Sequence, residues 1–230
     1  MGTIKGKIKT CFVFSRLIYE MIKNYKKLND DKENNYKVCK DLSEKILSKA
    51  NVDCFVYGAE NIPDENCLII SNHISFFDIV LLVSQIDRPL GFAYADNLLK
   101  LPILKKYIES LGGVPIHRDV KKIKESLSGI ADYVKDSSLV LFPEGKCSYE
   151  VDKVGQFERG CFISLRSTDV PIVPVYIRVY ELGKVARWVT PLEKIDVIIG
   201  QPFKTDSKMK SKQLAEYAYN TVVGLKDSYK

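Results

Sequence analysis

Apolar positions along the chain change their spacing near residue 50. Before it, apolar residues recur at helical spacing in two stretches, which the polar residues 29–35 separate. After it, short apolar runs rich in β-branched residues alternate with helical stretches. Strands that alternate with helices are typical of an α/β fold. We therefore predict an α/β domain at residues 51–230, with a largely parallel sheet flanked by helices, and a two-helix hairpin at residues 1–50.

The predicted elements of the α/β domain follow one another closely. Strands are expected at residues 52–57, 67–70, 91–95, 114–116, 139–142, 172–179 and 195–199. Helical stretches are expected at residues 77–84, 97–111, 120–135, 160–167 and 207–226. Asp119 is the expected N-cap of the third of these helices. A chain of 230 residues with these elements can bury one sizeable core.

Charge is distributed unevenly between the two parts. Residues 1–50 hold 12 Lys or Arg and 6 Asp or Glu, whereas residues 51–230 hold 23 of each. The formal net charge of +6 therefore lies entirely in the helical hairpin. A basic segment on a neutral body favours contact with a polyanion, either an anionic membrane or a nucleic acid. Nucleic acid is disfavoured because the segment carries no nucleic-acid-binding motif.

The first helix has the amphipathic pattern of a helix that lies on a membrane surface. Its apolar residues fall at helical spacing, and basic residues are suited to the headgroup level. These residues are Phe14, Leu17, Ile18, Met21 and Ile22, with Lys9, Arg16, Lys23, Lys26 and Lys27. Packing of this helix against its own domain explains the pattern equally well. The apolar run at residues 11–14 is far shorter than the roughly 20 residues of a spanning helix.

Composition and cysteine usage indicate a reduced, cytosolic environment. Hydrophobic residues make up 46% and charged residues 28% of the chain, which excludes general disorder and a polytopic membrane protein. The six cysteines form no CxxC pair and have no zinc-ligand spacing with the two histidines. We expect reduced thiols, no metal and no cofactor.

His73 is the first candidate for chemistry because it follows the apolar strand predicted at residues 67–70. Ligand sites of open α/β sheets lie beyond the carboxyl ends of strands. Asp78 is five residues further on, about 500° along a continuous helix, so the two side chains would not share a helical face. They meet only if His73 lies in a loop and Asp78 in the next helix's first turn. A carboxylate bonded to one imidazole nitrogen leaves the other nitrogen free to act as a base. The alternative interpretation of His73 is a structural residue that caps the helix.

Two further segments place polar residues after strands. Residues 141–148 read Leu-Phe-Pro-Glu-Gly-Lys-Cys-Ser, in which Gly145 lets backbone amides approach an anion and Lys146 adds positive charge. Residues 112–118 read Gly-Gly-Val-Pro-Ile-His-Arg, and Arg118 can bind a phosphate through two hydrogen bonds. Cys147 has no base that the sequence fixes beside it, so we do not assign it as a nucleophile. Each segment alone is a weak signal.

Taken together and in order, these segments resemble the motifs of the 1-acyl-sn-glycerol-3-phosphate acyltransferase family. Asn-His-Ile-Ser-Phe-Phe-Asp at residues 72–78 fits the family's N-H-x4-D motif. Residues 113–118 resemble the family's second block. Residues 142–145 resemble the start of the third block, F-P-E-G-T-R-S. The fourth block resembles Val-Pro-Ile-Val-Pro-Val at residues 170–175. Four ordered motifs over residues 71–175 are a specific signal.

The resemblance implies a role for each site residue. His73 would take the proton from the hydroxyl of a lysophospholipid, and Asp78 would orient His73. That hydroxyl would attack an acyl-CoA or acyl-carrier-protein thioester directly, without an acyl-enzyme. Arg118 would hold the acceptor phosphate, and Glu144 with Gly145 would shape the acceptor site. The implied function is acyl transfer to lysophosphatidic acid at an anionic membrane surface.

One departure from the family pattern concerns the acceptor. The third block usually continues with Thr and Arg, where this chain has Lys146 and Cys147. Lys146 can supply the missing charge but lacks the planar fork of a guanidinium, and Arg159 is another candidate. Another lysolipid or glycerol 3-phosphate is therefore an alternative acceptor. A non-catalytic lipid-binding protein of the same fold is a further alternative, against which the intact His73 and Asp78 argue.

Overall fold

A computed structural model of the chain describes residues 3–117, 119, 121–185, 188–205 and 208–228. Its strands are β1 (Asp53–Tyr57), β2 (Leu68–Ser71), β3 (Gly91–Ala95), β4 (Gly113–Ile116), β5 (Leu139–Leu141), β6 (Ile172–Val179), β7 (Leu182–Val185), β8 (Trp188–Pro191) and β9 (Lys194–Ile199). Its α-helices are α1 (Ile4–Asn24), α2 (Lys32–Ala50), α3 (Phe77–Gln85), α4 (Pro102–Leu111), α5 (Ile123–Asp136) and α6 (Ser211–Ser228). Short 3₁₀ turns lie at Tyr25–Lys27, Ala59–Asn61, Asp96–Lys100, Arg159–Phe162 and Leu165–Ser167.

The central sheet is largely parallel, which confirms the predicted fold class. Its strand order is β1-β9-β6-β2-β5-β3-β4. Strands β6, β2, β5, β3 and β4 run in one direction, and β9, with its parallel neighbour β1, runs against β6. The carboxyl ends of β2, β5, β3 and β4 therefore meet at one edge of the sheet.

Helices cover both faces of this sheet, which explains why its central strands are apolar throughout. Strand β2 is fully buried, and its alternate residues point to opposite faces. Ile69 packs in a core with side chains of α1, α2, α3 and α4, whereas Leu68 and Ile70 pack in a second core with α5 and α6. Among the described residues, every helix is too short or too polar to cross a membrane.

The N-terminal hairpin forms as predicted and packs against the body of the protein. The Asp31 side chain caps α2, so part of the polar stretch at 29–35 is that helix's first turn. Tyr107 in α4 donates a hydrogen bond of 2.8 Å to the Met21 carbonyl in α1. Helices α1 and α2 thus share the core with α3 and α4, while the proposed domain boundary at residue 50 stays a prediction.

Three predicted helical stretches differ from the structure. The stretch at 97–111 begins as a 3₁₀ turn, and α4 starts at Pro102, which lacks an amide hydrogen and restricts the residue before it. Asp119 is not the N-cap of α5; its carboxylate accepts from the Lys121 amide in a turn before the helix, and Lys122 occupies the cap position. The stretch at 160–167 forms two 3₁₀ turns instead of an α-helix.

A β-hairpin that the sequence pattern did not predict lies against α1. It consists of β7 and β8, paired antiparallel. A side chain at Gly183 would come within 2.5 Å of the Gly6 carbonyl oxygen in α1, so only glycine permits this close approach. Thr10 and Thr190 are both fully buried at the contact, and their hydroxyl oxygens are 3.1 Å apart. The hairpin therefore holds α1 in place.

Candidate active site

His73 and Asp78 lie together at the carboxyl end of β2. His73 is in the loop after the strand, and Asp78 is in the first turn of α3, the arrangement that their spacing requires. The His73 Nδ1 atom is 2.8 Å from Asp78 Oδ2. Because a carboxylate accepts hydrogen bonds, Nδ1 carries the proton and Nε2 is left as the acceptor. The arrangement suits a base that acts through Nε2.

Asp78 is held in place by the backbone of the same loop. Its Oδ2 atom also accepts hydrogen bonds from the amides of Ile74, at 2.7 Å, and Ser75, at 3.0 Å. The side chain is almost fully buried. The two amide donors fix which carboxylate oxygen faces His73. Asp78 thus fixes the loop that precedes α3 and is the partner of the imidazole.

The surroundings of His73 increase the affinity of its imidazole for a proton. Burial lowers the pKa of His73, but hydrogen bonds to Asp78 and Cys147 raise it by more, so the pKa lies above its usual value. The ring stacks on Phe142, with centroids 4.1 Å apart and planes 14° apart. Phe142 was quoted in a motif but given no role by the sequence. Its ring holds the imidazole plane and covers one face of it.

Glu144 connects two loops beneath the imidazole. Its Oε1 atom accepts from the His73 amide at 2.8 Å, and its Oε2 atom accepts from the Gly155 amide at 2.9 Å. Burial raises the pKa of this carboxyl, and both amide donors oppose the shift. A side chain at position 155 would come within 2.6 Å of Oε2. Glu144 therefore shapes the site through its loops, with both of its oxygens already bonded.

Cys147 contacts the imidazole nitrogen that Asp78 leaves free. Its Sγ atom is 3.1 Å from His73 Nε2, and the side chain is half-buried. The sequence analysis identified no base beside Cys147, and the structure places the imidazole of His73 there. The loop after β5 folds back on the loop after β2, a tertiary contact that residue spacing does not reveal.

The predicted anion-binding residues that the structure describes lie on the protein surface. Gly145, Lys146 and Arg159 are exposed, and Gly145 has a φ of 65°, which favours glycine. Within the described ranges, neither Lys146 nor Arg159 forms an ion pair, so both charges face solvent. Arg118 lies outside the described residues. Their role at an acceptor phosphate stays a prediction.

A second His–Asp pair lies further along the same sheet edge, after the strands that are two and three places from β2. His117 Nδ1, after β4, is 2.8 Å from Asp96 Oδ2, after β3. The His117 amide also donates to the Ser126 hydroxyl of α5. The sequence quoted His117 in a motif but assigned it no partner, because Asp96 is 21 residues away. In the part of the chain that is described, no three His, Cys, Asp or Glu side chains could together hold a metal ion.

An apolar cavity of about 60 Å³ lies between α1, α2, α3 and α4. Phe76, at the start of α3, is one of its lining residues, together with Leu17, Met21, Leu104 and Tyr107. Phe76 lies three residues after His73 and two before Asp78. An apolar space therefore adjoins the loop that carries the imidazole.

These observations define an α/β protein with a buried His–Asp pair at the carboxyl edge of its sheet. The model of the family described as Acyltransferase matches residues 53–178, which is more than half of the chain and includes the pair. The chain belongs to the Acyltransferase family.

Similar proteins carry related names. Over 124 residues the chain is 32% identical to 1-acyl-sn-glycerol-3-phosphate acyltransferase BAT2, chloroplastic, from Brassica napus, covering 52% of this chain and 36% of that protein. Over 148 residues it is 28% identical to the 1-acyl-sn-glycerol-3-phosphate acyltransferase of Pseudomonas aeruginosa, covering 63% of this chain and 57% of that one. The chain thus spans roughly a third to somewhat over half of these relatives' lengths.

A solved structure has the same fold. It is the crystal structure of the 1-acyl-sn-glycerophosphate (LPA) acyltransferase PlsC from Thermotoga maritima, at 23% sequence identity and a TM-score of 0.76. The match covers 97% of this chain and 95% of that one. The likeness includes the N-terminal helices as well as the sheet.

Proposed function

We propose that this protein is an O-acyltransferase that moves a fatty acyl group from an acyl thioester to the free hydroxyl of lysophosphatidic acid. The product would be phosphatidic acid for phospholipid biosynthesis. The observation that carries the proposal is the His73–Asp78 pair, with 2.8 Å between Nδ1 and Oδ2, at the sheet edge of an Acyltransferase-family segment. The names of the two curated relatives support lysophosphatidic acid as the acceptor.

The proposed chemistry is general-base catalysis by His73. Asp78 holds the proton on Nδ1, so Nε2 takes the proton of the acceptor hydroxyl as its oxygen attacks the thioester carbonyl carbon. The imidazolium then returns the proton to the departing thiol. Such assistance contributes roughly 10²–10⁴ in rate, which suffices for an electrophile as reactive as a thioester. The alternative of a non-catalytic lipid-binding protein leaves this hydrogen-bonded pair without a purpose.

The acceptor phosphate would be held by the exposed cations around the pair. Lys146 and Arg159 are proposed for this role with Arg118, while Gly145 would let backbone amides approach the anion. Glu144 would keep the surrounding loops in shape. Because Lys146 lacks the fork of a guanidinium, another lysolipid or glycerol 3-phosphate is the alternative acceptor. The donor would be acyl-CoA or an acyl-carrier-protein thioester.

Helix α1 supports the proposed contact with an anionic membrane. Counting about 100° per residue, its buried side chains lie on one face, with Val13, Leu17 and Met21 among them. Large apolar side chains remain exposed on the opposite face: Ile4, Ile8, Phe12, Ile18, Tyr19 and Ile22. The sequence analysis grouped Ile18 and Ile22 with Phe14, Leu17 and Met21 on one apolar face. In the structure the last three are buried, whereas Ile18 is 46% exposed and Ile22 is 57% exposed. One face of α1 packs on the body of the protein, and its exposed face is the one that we propose contacts the membrane.

Basic residues lie beside the free face of α1, as an interfacial helix requires. Lys5, Arg16 and Lys23 fall within about 20° of one another at its border. Their charges would lie at the headgroup level of an anionic bilayer while the apolar side chains enter it. We place the protein peripherally, on the cytoplasmic face of the cell membrane.

An acceptor panel tests the proposed function. Purified full-length protein in detergent is supplied with palmitoyl-CoA or palmitoyl-acyl carrier protein, and with lysophosphatidic acid, lysophosphatidylcholine or glycerol 3-phosphate. We expect the fastest product formation with lysophosphatidic acid. Equal rates with lysophosphatidylcholine would remove the case for a phosphate clamp, and no acylation of any acceptor would refute the proposal.

A matched pair of substitutions tests the membrane contact. Phe12→Ser removes a free apolar side chain from α1, whereas Phe55→Ser removes a similarly exposed one from β1. Binding to phosphatidylglycerol-containing vesicles in sedimentation assays should weaken for Phe12→Ser alone. Equal binding of both variants and the wild type would mean that α1 has only a structural role.

A further inference from the structure

Asn72 is a buried polar residue that directly precedes the proposed base. Its Nδ2 atom donates to the Ile177 carbonyl of β6 at 3.0 Å, and its Oδ1 atom accepts from the Ile177 amide at 2.7 Å. Only 1% of the residue is exposed. The sequence analysis included Asn72 in a motif but gave it no role. One side-chain amide thus bonds both main-chain groups of a residue 105 positions away.

These two bonds replace main-chain pairing between β2 and β6. The strands are parallel with Ser71 opposite Val175, so the same register two residues further on would place His73 opposite Ile177. In the structure the pairing ends at Ser71. Buried amide and carbonyl groups need partners, and the Asn72 side chain supplies both for Ile177. The chain can therefore leave the sheet before His73 without leaving polar groups of β6 unpaired.

The bond that Asn72 donates would otherwise come from the amide of Ile74. Main-chain amides alternate in direction along β2, and that of Leu68 donates to a carbonyl just before β6. An extended β2 would therefore turn the Ile74 amide towards the Ile177 carbonyl. In the structure this amide donates at 2.7 Å to Asp78 Oδ2, the oxygen that faces the imidazole. Asn72 thus leaves the Ile74 amide available to Asp78.

The main chain of His73 bonds on the opposite side, to the loop after β5. Its amide donates to Glu144 Oε1 at 2.8 Å, and its carbonyl accepts from the Ser148 amide at 2.8 Å. The loop that carries His73 is therefore held from two sides, by β6 through Asn72 and by the loop after β5. The path of the main chain sets the position of the imidazole.

We propose that Asn72 is a positioning residue for the acyl transfer. It completes the pairing of β6 and so keeps the Ile74 amide on Asp78, which in turn orients the imidazole of His73. The inference rests on the proposed function and deepens it, because it names what holds the base of that reaction in place. Asn72 itself does not touch the reacting atoms. Without its side-chain amide, Ile177 would draw the Ile74 amide away from Asp78.

Ser138 provides a matched control for this proposal. Its buried hydroxyl accepts from the Cys67 amide at 3.1 Å, at the opposite end of β2 from Asn72. Asn72→Ala and Ser138→Ala both remove buried hydrogen bonds at an end of the same strand, so both should lower the melting temperature. Only Asn72→Ala should change the site.

Steady-state kinetics of acyl transfer to lysophosphatidic acid are measured below both melting temperatures. We expect kcat to fall by roughly 10–100-fold in Asn72→Ala, because small misplacements of catalytic groups have effects of this size. KM for the donor and for the acceptor should change little, since Asn72 contacts neither. Ser138→Ala should keep the wild-type kcat.

Proton NMR gives a second measurement that needs no acyl transfer. The Nδ1 proton bonded to Asp78 has a downfield resonance, which is assigned by its loss in His73→Ala. We expect this resonance to move upfield or disappear in Asn72→Ala and to stay in place in Ser138→Ala. The Nδ1 proton of His117, in the exposed pair, is the internal reference.

Asn72→Asp keeps the shape of the side chain and carries the same comparison if Asn72→Ala does not fold. An ionised carboxyl still accepts from the Ile177 amide but cannot donate to the Ile177 carbonyl. We therefore expect the same changes in kcat and in the His73 resonance, to a smaller extent. Wild-type values of both in Asn72→Asp and Asn72→Ala would overturn the proposal.

The outcomes distinguish this inference from the proposed function. Wild-type kcat and an unchanged resonance in folded Asn72→Ala refute the positioning role and leave the acyl transfer intact. Equal losses of kcat in Asn72→Ala and Ser138→Ala also refute it, because lost stability then explains both. A wild-type protein that acylates no acceptor refutes the proposed function, while the resonance still decides whether Asn72 keeps His73 on Asp78.

Discussion

The molecule contains two His–Asp pairs of the same length at the same sheet edge, and their surroundings differ. In each pair a histidine Nδ1 is 2.8 Å from an aspartate Oδ2. The side chains of His73 and Asp78 are 16% and 5% exposed, whereas those of His117 and Asp96 are 24% and 42% exposed. The two pairs share a distance but not an environment.

The buried pair is connected on all sides. Asp78 accepts from two backbone amides, and His73 stacks on Phe142 and contacts Cys147 through its second nitrogen. The exposed pair has the hydrogen bond of the His117 amide to Ser126 as its further anchor. A His–Asp hydrogen bond therefore does not by itself identify an active site. The stacked ring, the greater burial and the Cys147 contact at the second nitrogen distinguish the pair to which we assign the chemistry.

Replacing each histidine by alanine should give the largest difference in activity between the two pairs. His73→Ala should lower kcat/KM for acylation of lysophosphatidic acid by roughly 10²–10⁴, the usual contribution of a general base. His117→Ala should lower it by less than about 10-fold, because its loss removes no base. Circular dichroism and thermal unfolding check the fold of both variants. Wild-type rates in a folded His73→Ala protein would refute its assignment.

Replacing each aspartate by asparagine should give the next largest effect. Asp78→Asn should lower kcat on the order of 10²-fold, because the amide disfavours the tautomer that leaves Nε2 free. It should also destabilise the protein by about 1–3 kcal/mol, since a buried acceptor of several hydrogen bonds is disturbed. Because Asp96 is about half exposed, Asp96→Asn should change neither the rate nor the melting temperature much. Equal effects in kinetic and denaturation assays would remove the distinction between the pairs.

Phe142→Leu tests the contribution of the stacked ring. Leucine fills a similar volume but cannot stack, and such ring contacts contribute about 0.5–1.5 kcal/mol. We therefore expect kcat to fall by roughly 2–10-fold with little change in KM. An unchanged kcat in steady-state assays would show that Phe142 only fills space.

Cys147→Ala should shift the titration of His73 and leave the rest of the site unchanged. Because the thiol is one of the groups that raise the pKa of His73, its removal should lower that pKa. NMR titration of the imidazole resonances measures the change, with His117 as an internal reference. A His73 pKa that does not fall would mean that Cys147 is not bonded to Nε2 in solution.

The raised pKa also predicts how stability depends on pH. The folded protein binds the His73 proton more tightly than the unfolded chain, so protonation stabilises the fold fully below pH 6.5. This contribution is lost as the pH rises towards about 10. Denaturant unfolding of the wild type and of Cys147→Ala over this range should show a smaller loss in the variant.

Much of the fold follows from local pattern, because buried parallel strands read as apolar runs. The run at residues 172–179 has the same bounds as β6, and the run at 91–95 the same as β3. The β7–β8 hairpin was missed, because it depends on a close packing of Gly183 against α1 that periodicity does not encode. The predicted start of α5 was wrong because a turn after Asp119 precedes the helix.

The candidate site was also predicted only in part. Contacts within one loop and the next helix follow from the sequence, whereas contacts between distant segments do not. His73 and Asp78 are five residues apart, so a loop followed by a helix was enough to predict their meeting. The partners Cys147 and Phe142 are about 70 residues away, and only the pairing of β2 with β5 brings them to His73. Asp96 and His117 were missed as a pair for the same reason. Contacts between strand ends depend on sheet order, which one sequence does not specify.

A double-mutant cycle on kcat/KM tests most directly whether His73 and Asp78 act as one catalytic unit. It compares the wild type, His73→Ala, Asp78→Asn and the double variant in acyl transfer to lysophosphatidic acid. Because Asp78 acts through the imidazole, the double variant should be no slower than His73→Ala alone. Effects that multiply, or a His73→Ala protein with the wild-type rate, would contradict the account.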